Sequence, residues 1–171
     1  MNTAAFLAYL DGRQTRWRLT LDARTETAGP DPRAQLLAVF DALRDWADAA
    51  AGGMRSNAFV QAQFELAGPT SLARTVVTQH KRALRRRMLA LAEATGTPDP
   101  GFLVDQLLLI YEGAVANHSL GNVTEPADKA HRTARRLIAA ATPQPLDAFW
   151  VGCGGRDGNG GSDGNGGSDG L

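Results

Sequence analysis

Apolar positions recur every three or four residues along most of the chain, the spacing of amphipathic helices rather than the alternation of strands. Glycine and proline steps cut this pattern into six segments. Phe6, Leu10, Trp17 and Leu21 mark one stripe over residues 3–27, which Gly29 and Pro30 end. Asp31 then caps a second helix with Pro32 in its first turn, where a missing N–H costs nothing. Leu36, Phe40, Leu43, Ala47 and Ala50 are its inward face, and Gly52-Gly53 stops it. A short third segment starts at Ser56 or Asn57, carries Phe59, Val60, Phe64 and Leu66, and breaks at Gly68-Pro69. The fourth runs from Thr70 or Ser71 to Thr95, the fifth from Asp99-Pro100 to Gly121, and the sixth from Thr124 or Glu125 to just before Pro143. The expected fold is all-α, an orthogonal and antiparallel bundle of about six helices over residues 1–142.

The fifth segment is apolar almost all the way round. Phe102, Leu103, Val104, Leu107, Leu108, Leu109, Ile110, Tyr111 and Val115 leave no wide polar face, so a central, buried position is expected. Two narrow polar stripes remain: Asp105, Glu112 and Ser119 at heptad spacing, and Gln106, Gly113 and Asn117. Left unpaired in a core, such groups would cost about 1–3 kcal/mol each. Partners are therefore expected from the sixth helix, a second subunit or a ligand.

The sixth segment has a face of mostly small residues, Ala127, Ala130, Ala134, Leu137, Ile138 and Ala141, opposite Lys129, Arg132, Arg135 and Arg136. Beside an apolar helix, that face suits a helix pair across a subunit interface, with packing inside one chain as the alternative. In the fourth segment Lys81, Arg82, Arg85 and Arg86, with Arg87 nearby, lie away from Val77, Leu84, Met88 and Leu91. This reads as a solvated helix back rather than a phosphate-binding patch, because no aromatic residues interleave with the arginines. His80 shares the inward stripe with Leu84 and Leu91, as a satisfied histidine or as a polar anchor at a cavity edge.

Beyond Pro143 the composition changes. Residues 158–163 and 164–169 repeat the hexapeptide Gly-Asn-Gly-Gly-Ser-Asp. It lacks the apolar residue with which calcium-binding glycine/aspartate repeats pack a β-helix. Residues 143–171 are expected to form a flexible, disordered tail rich in Gly, Asn, Ser and Asp.

Eighteen basic against 18 acidic residues give a formal net charge of zero, no electrostatic footprint of a nucleic-acid binder. A single cysteine, Cys153, excludes an internal disulfide and a multi-cysteine zinc site. No secretion signal or membrane-length apolar run occurs, so the expected location is the cytoplasm. No metalloprotease, nucleophile-elbow or di-iron motif is present, and His80, His118 and His131 fall on three different predicted helices. Neither an enzyme nor a cofactor is expected.

The run AFLAYLDGRQTRWR over residues 5–18 resembles the connecting helix that comes after the DNA-binding domain in TetR-family transcriptional regulators. DPRAQLLAVFDAL (31–43), SNAFVQAQFE (56–65), HKR (80–82) and LVDQLLLIYEGA (103–114) are similar to the family's later helices, in the same order. The resemblance covers residues 3–141 and implies the family's C-terminal domain, with an effector cavity among the helices and homodimerisation through the last two. Dimer-interface residues would be Leu109, Val115, Ala127, Ala130, Ala134, Leu137, Ile138 and Ala141. No helix-turn-helix precedes these segments, so DNA contact is not expected of this chain alone; blocking a full-length relative by dimerising with it is an alternative role. A small helical enzyme with an apolar pocket is a further, weaker reading. From the inward stripes, Phe40, Trp46, Phe59, Phe64, Leu84 and Tyr111 would hold a small apolar or aromatic effector, oriented by His80, Gln106 or Asn117.

Overall fold

A computed structural model describes residues 3–51 and 72–143. These form five helices: α1 (Thr3–Thr27), α2 (Pro32–Ala51), α3 (Leu72–Ala94), α4 (Pro100–Leu120) and α5 (Pro126–Ala141). Among the described residues there is no strand. The expected third segment, with Phe59 and Phe64, lies outside the described residues, as do the tail and the side chains of Phe6, Leu10 and Ala50. The structure's α3 is thus the fourth segment of the sequence pattern.

Local chemistry sets the helix ends where the punctuation predicts. The Asp31 carboxylate accepts from the Arg33 N–H at 3.0 Å, and the Asp99 carboxylate accepts from the Phe102 N–H at 2.9 Å. Gly121 adopts φ 67° at the end of α4, and its N–H donates to the Asn117 carbonyl at 2.9 Å, the left-handed stop that glycine accepts without a Cβ clash. Glu125, which opens α5, also has a positive φ, 51°, and makes no side-chain cap bond.

The core joins all five helices. Leu36, Val39, Phe40 and Leu43 of α2, Met88 of α3, and Leu103, Val104 and Leu107 of α4 are fully buried. Leu21 of α1 and Ala127, Ala130, Ala134 and Ile138 of α5 close it. Helix α5 packs against α4 and α2, α3 against α4 and α2, and α1 against α2 and, to a lesser extent, α3.

Two sequence patterns find partners inside the chain. The small-residue face of α5 is turned into its own chain: Ala127, Ala130, Ala134 and Ile138 are buried, and Leu137 and Ala141 pack partly buried against the same core. Small side chains let a helix approach closely, but the pattern does not say which helix it approaches. Here it is α2 and α4. The acidic stripe of α4 also finds a partner that sequence reasoning did not name. Lys81 Nζ meets Glu112 Oε2 at 2.9 Å, and Arg85 Nη2 meets Asp105 Oδ1 at 2.9 Å, both from α3. Arg87 pairs with Asp22 of α1. Three of the five clustered cations of α3 are therefore ion-paired between helices rather than simply solvated.

Candidate functional site

Ion pairs and hydrogen bonds fix the register of the helices around one level of the bundle. Helices α1 and α3 run in the same direction, with the Gln14 amide near the Val76 carbonyl (3.4 Å) and Asp22 paired to Arg87. Between those contacts, Trp17 falls at the level of His80. Helix α4 runs opposite to α3, and the Lys81–Glu112 pair brings Tyr111 to that same level.

Aromatic rings occupy it. Trp17 meets Tyr111 edge-on with centroids 5.8 Å apart, and Phe40 meets Tyr111 at 6.4 Å, also edge-on. Phe40 is fully enclosed, whereas Trp17 and Tyr111 are partly buried against the core. Among the described residues, the indole Nε1 of Trp17 is the buried side-chain polar atom with no hydrogen-bond partner. Loss of solvent raises the Tyr111 phenol above its ordinary range, Glu112 adds to that, and Arg13 opposes it. Burial lowers the His80 pKa from 6.5, partly offset by Glu112 and reinforced by Lys81, so the imidazole is held towards its neutral form.

A second aromatic contact lies nearer the ends of α2 and α4. Trp46 packs against His118 with centroids 5.2 Å apart, and the Arg13 guanidinium sits 5.3 Å over the Trp46 ring. Arg13 thereby links this stack to α1, the helix that carries Trp17.

The predicted residues divide accordingly. Tyr111 and His80 lie at the aromatic level, with Phe40 behind Tyr111; Leu84 is a core residue one helical turn further along α3. Trp46 belongs to the second stack. Gln106 and Asn117 lie roughly 120° round α4 from Asp105 and Glu112, away from the flank that faces α3, and Asn117 Nδ2 donates to the Gly113 carbonyl at 2.7 Å. Phe59 and Phe64 lie outside the described residues. Trp17, Arg13 and His118 were missed. The available signal was Trp17 itself, a tryptophan on an inward stripe whose N–H must find an acceptor.

Three large apolar side chains on the outer side of α4 are exposed. Leu109 is 75% exposed, Leu120 72% and Phe102 61%, and at 100° per residue the three fall within about 20° of one another on the helix. Leu109 thus lies outward, whereas Val115 packs against the core. Among the described residues no group of His, Cys, Asp and Glu is arranged to hold a metal ion, and no helix is long and apolar enough to cross a membrane.

No protein-family model matches the sequence, and no curated protein matches it. Among solved structures, a TetR-family transcriptional regulator from Streptomyces coelicolor superposes with a TM-score of 0.69. The match covers 81% of this chain and 71% of that one at 21% sequence identity. At that identity the likeness speaks for architecture: the described helices share the fold of a TetR-family regulator.

Proposed function

We propose that this chain is the effector-sensing, dimerising part of a TetR-type transcriptional regulator. The observation that carries the reading is the aromatic level of the bundle, where Trp17, Tyr111 and Phe40 from three helices meet around an indole N–H without a partner. An apolar or aromatic effector held there would bear on α1, α2 and α4 at once.

The ties on α1 suggest how binding would be transmitted. Its C-terminal half is held by the Arg24–Asp45 pair to α2 and by Arg87, which binds Asp22 and, at 2.9 Å, the Thr25 hydroxyl. Trp17 lies further towards the N-terminus. A ligand seated against Trp17 would press on α1 between these ties and the looser Gln14–Val76 and Arg13–Trp46 contacts, so the helix would turn about its C-terminal end. Only a ligand with different affinity for the two poses shifts their populations.

The exposed stripe Phe102, Leu109 and Leu120 supports homodimerisation through α4, with α5 beside it. Thermal unfolding across a library of apolar aromatic compounds tests the sensing role. Saturating effector at 100 times its Kd should add about 2.7 kcal/mol of stability; a library without a single stabilising compound would contradict the reading.

A further inference from the structure

We propose that the Trp17 indole N–H is the group that selects the effector, and that the effector is a neutral, flat aromatic molecule bearing a hydrogen-bond acceptor such as a carbonyl oxygen. This deepens the sensing role proposed above and rests on it.

Buried N–H groups in folded proteins have partners, so an orphan at a candidate site calls for a cause specific to that site. Trp17 Nε1 is the buried side-chain orphan among the described residues, while its ring edge is already packed on Tyr111. An acceptor on a ligand would complete it. The neighbouring rings specify the rest of the molecule. Edge-on packing of Trp17 and Phe40 against Tyr111 favours another flat ring, which can join the cluster with the same geometry.

Charge narrows the class. A cationic ligand needs a carboxylate to replace its water, and the nearby acids are taken: Glu112 by Lys81, Asp105 by Arg85 and Asp22 by Arg87. An anion fares no better at the Trp17 level, because Lys81 is already neutralised and one N–H does not repay the desolvation of a carboxylate. A neutral acceptor meets neither penalty.

The test uses three probes of nearly one shape on the full chain: 2-ethylnaphthalene, 2-acetonaphthone and protonated 2-(aminomethyl)naphthalene. Calorimetric titration of the wild-type protein should find the ketone bound roughly 3- to 10-fold more tightly than the hydrocarbon, the range of a single net hydrogen bond, and the amine weakest. Trp17→Phe keeps an aromatic ring and removes the donor, so ketone and hydrocarbon should become equal. In the wild-type protein the indole N–H resonance that Trp17→Phe deletes should move downfield with the ketone and not with the hydrocarbon, a readout that stands even where the variant folds poorly. A ketone preference unchanged in Trp17→Phe, an indole N–H unmoved by bound ketone, or a preference for the amine would overturn the proposal and leave the sensing role standing. Failure of all three probes to bind would remove the sensing role along with it.

Discussion

Lys81 Nζ donates to Glu112 Oε2 at 2.9 Å, joining the basic back of α3 to the acidic stripe of α4. Arg85 repeats the contact with Asp105 one helical turn further along α3, its Nη2 at 2.9 Å from Oδ1. The two pairs fix an antiparallel register and settle, within one chain, charges that would otherwise need a ligand or a second subunit. They also fix the level at which Tyr111 faces Trp17.

Both side chains of the Lys81–Glu112 pair are more than one-third exposed, so its worth lies in register rather than stability. A double-mutant cycle with Lys81→Met and Glu112→Gln should give a coupling energy below about 1 kcal/mol. Chemical denaturation measures it; a coupling of several kcal/mol would mean that the pair is desolvated by a neighbouring element.

The outer stripe of α4 and the small-residue face of α5 should respond oppositely to charge. If the proposed dimer forms through α4, Leu109→Lys on its outer stripe should leave the melting temperature nearly unchanged and give a monomer in sedimentation velocity. Ala134→Lys should abolish cooperative folding, because position 134 has no solvent access and a lysine there costs on the order of 4 kcal/mol or more. A Leu109→Lys protein that remains dimeric would put the seam elsewhere.

Glu125 holds φ 51° immediately before Pro126 and makes no cap bond with its side chain. That left-handed conformation costs a non-glycine residue about 1 kcal/mol. Glu125→Gly should therefore be neutral or stabilising by up to about 1 kcal/mol, although glycine also loosens the unfolded chain. Glu125→Val, β-branched at the same angle, should destabilise, and urea denaturation separates the two.

His80 makes stability depend on pH with a definite sign. Burial lowers its folded pKa below 6.5, so in mild acid the unfolded chain binds the extra proton more readily. The contribution of His80 is present above pH 6.5 and is lost as the pH falls from there towards the folded pKa. His80→Gln should flatten this part of the profile, read as the difference in denaturation free energy between pH 7.5 and 5.5. An identical slope in both proteins would show that the imidazole is solvated.

Helix ends and the all-helical class were legible in the sequence because they depend on local chemistry: Asp31, Asp99 and Gly121 each act within one turn of chain. Burial of α4 was legible from its all-round apolar surface, yet its outer stripe is exposed, since periodicity cannot tell an inner wall from a face left for a partner. The alanines of α5 left two readings open for a related reason. A small-residue face records a close approach without recording to what, and α2 supplied the contact through Arg44–Asp128 at 2.7 Å and His131–Asp41 at 3.2 Å. The ion pairs of α3 could not be foreseen either, because a charge run looks the same whether solvated or facing a complementary stripe 20 to 31 residues away. At the site, Tyr111 was legible as part of the apolar surface of its helix and His80 as a polar group on an inward stripe. By its spacing Trp17 is a core residue, which its ring is; its role lies in one unpaired N–H, visible only once the neighbouring helices are in place.

The sensing role comes down to where a bound aromatic molecule sits. Intermolecular nuclear Overhauser effects between a saturating aromatic probe and the side chains of the full protein report that position directly. Contacts to the Tyr111 ring and the Trp17 indole are predicted. Contacts confined to Phe102, Leu109 and Leu120 on the outer stripe would contradict the account.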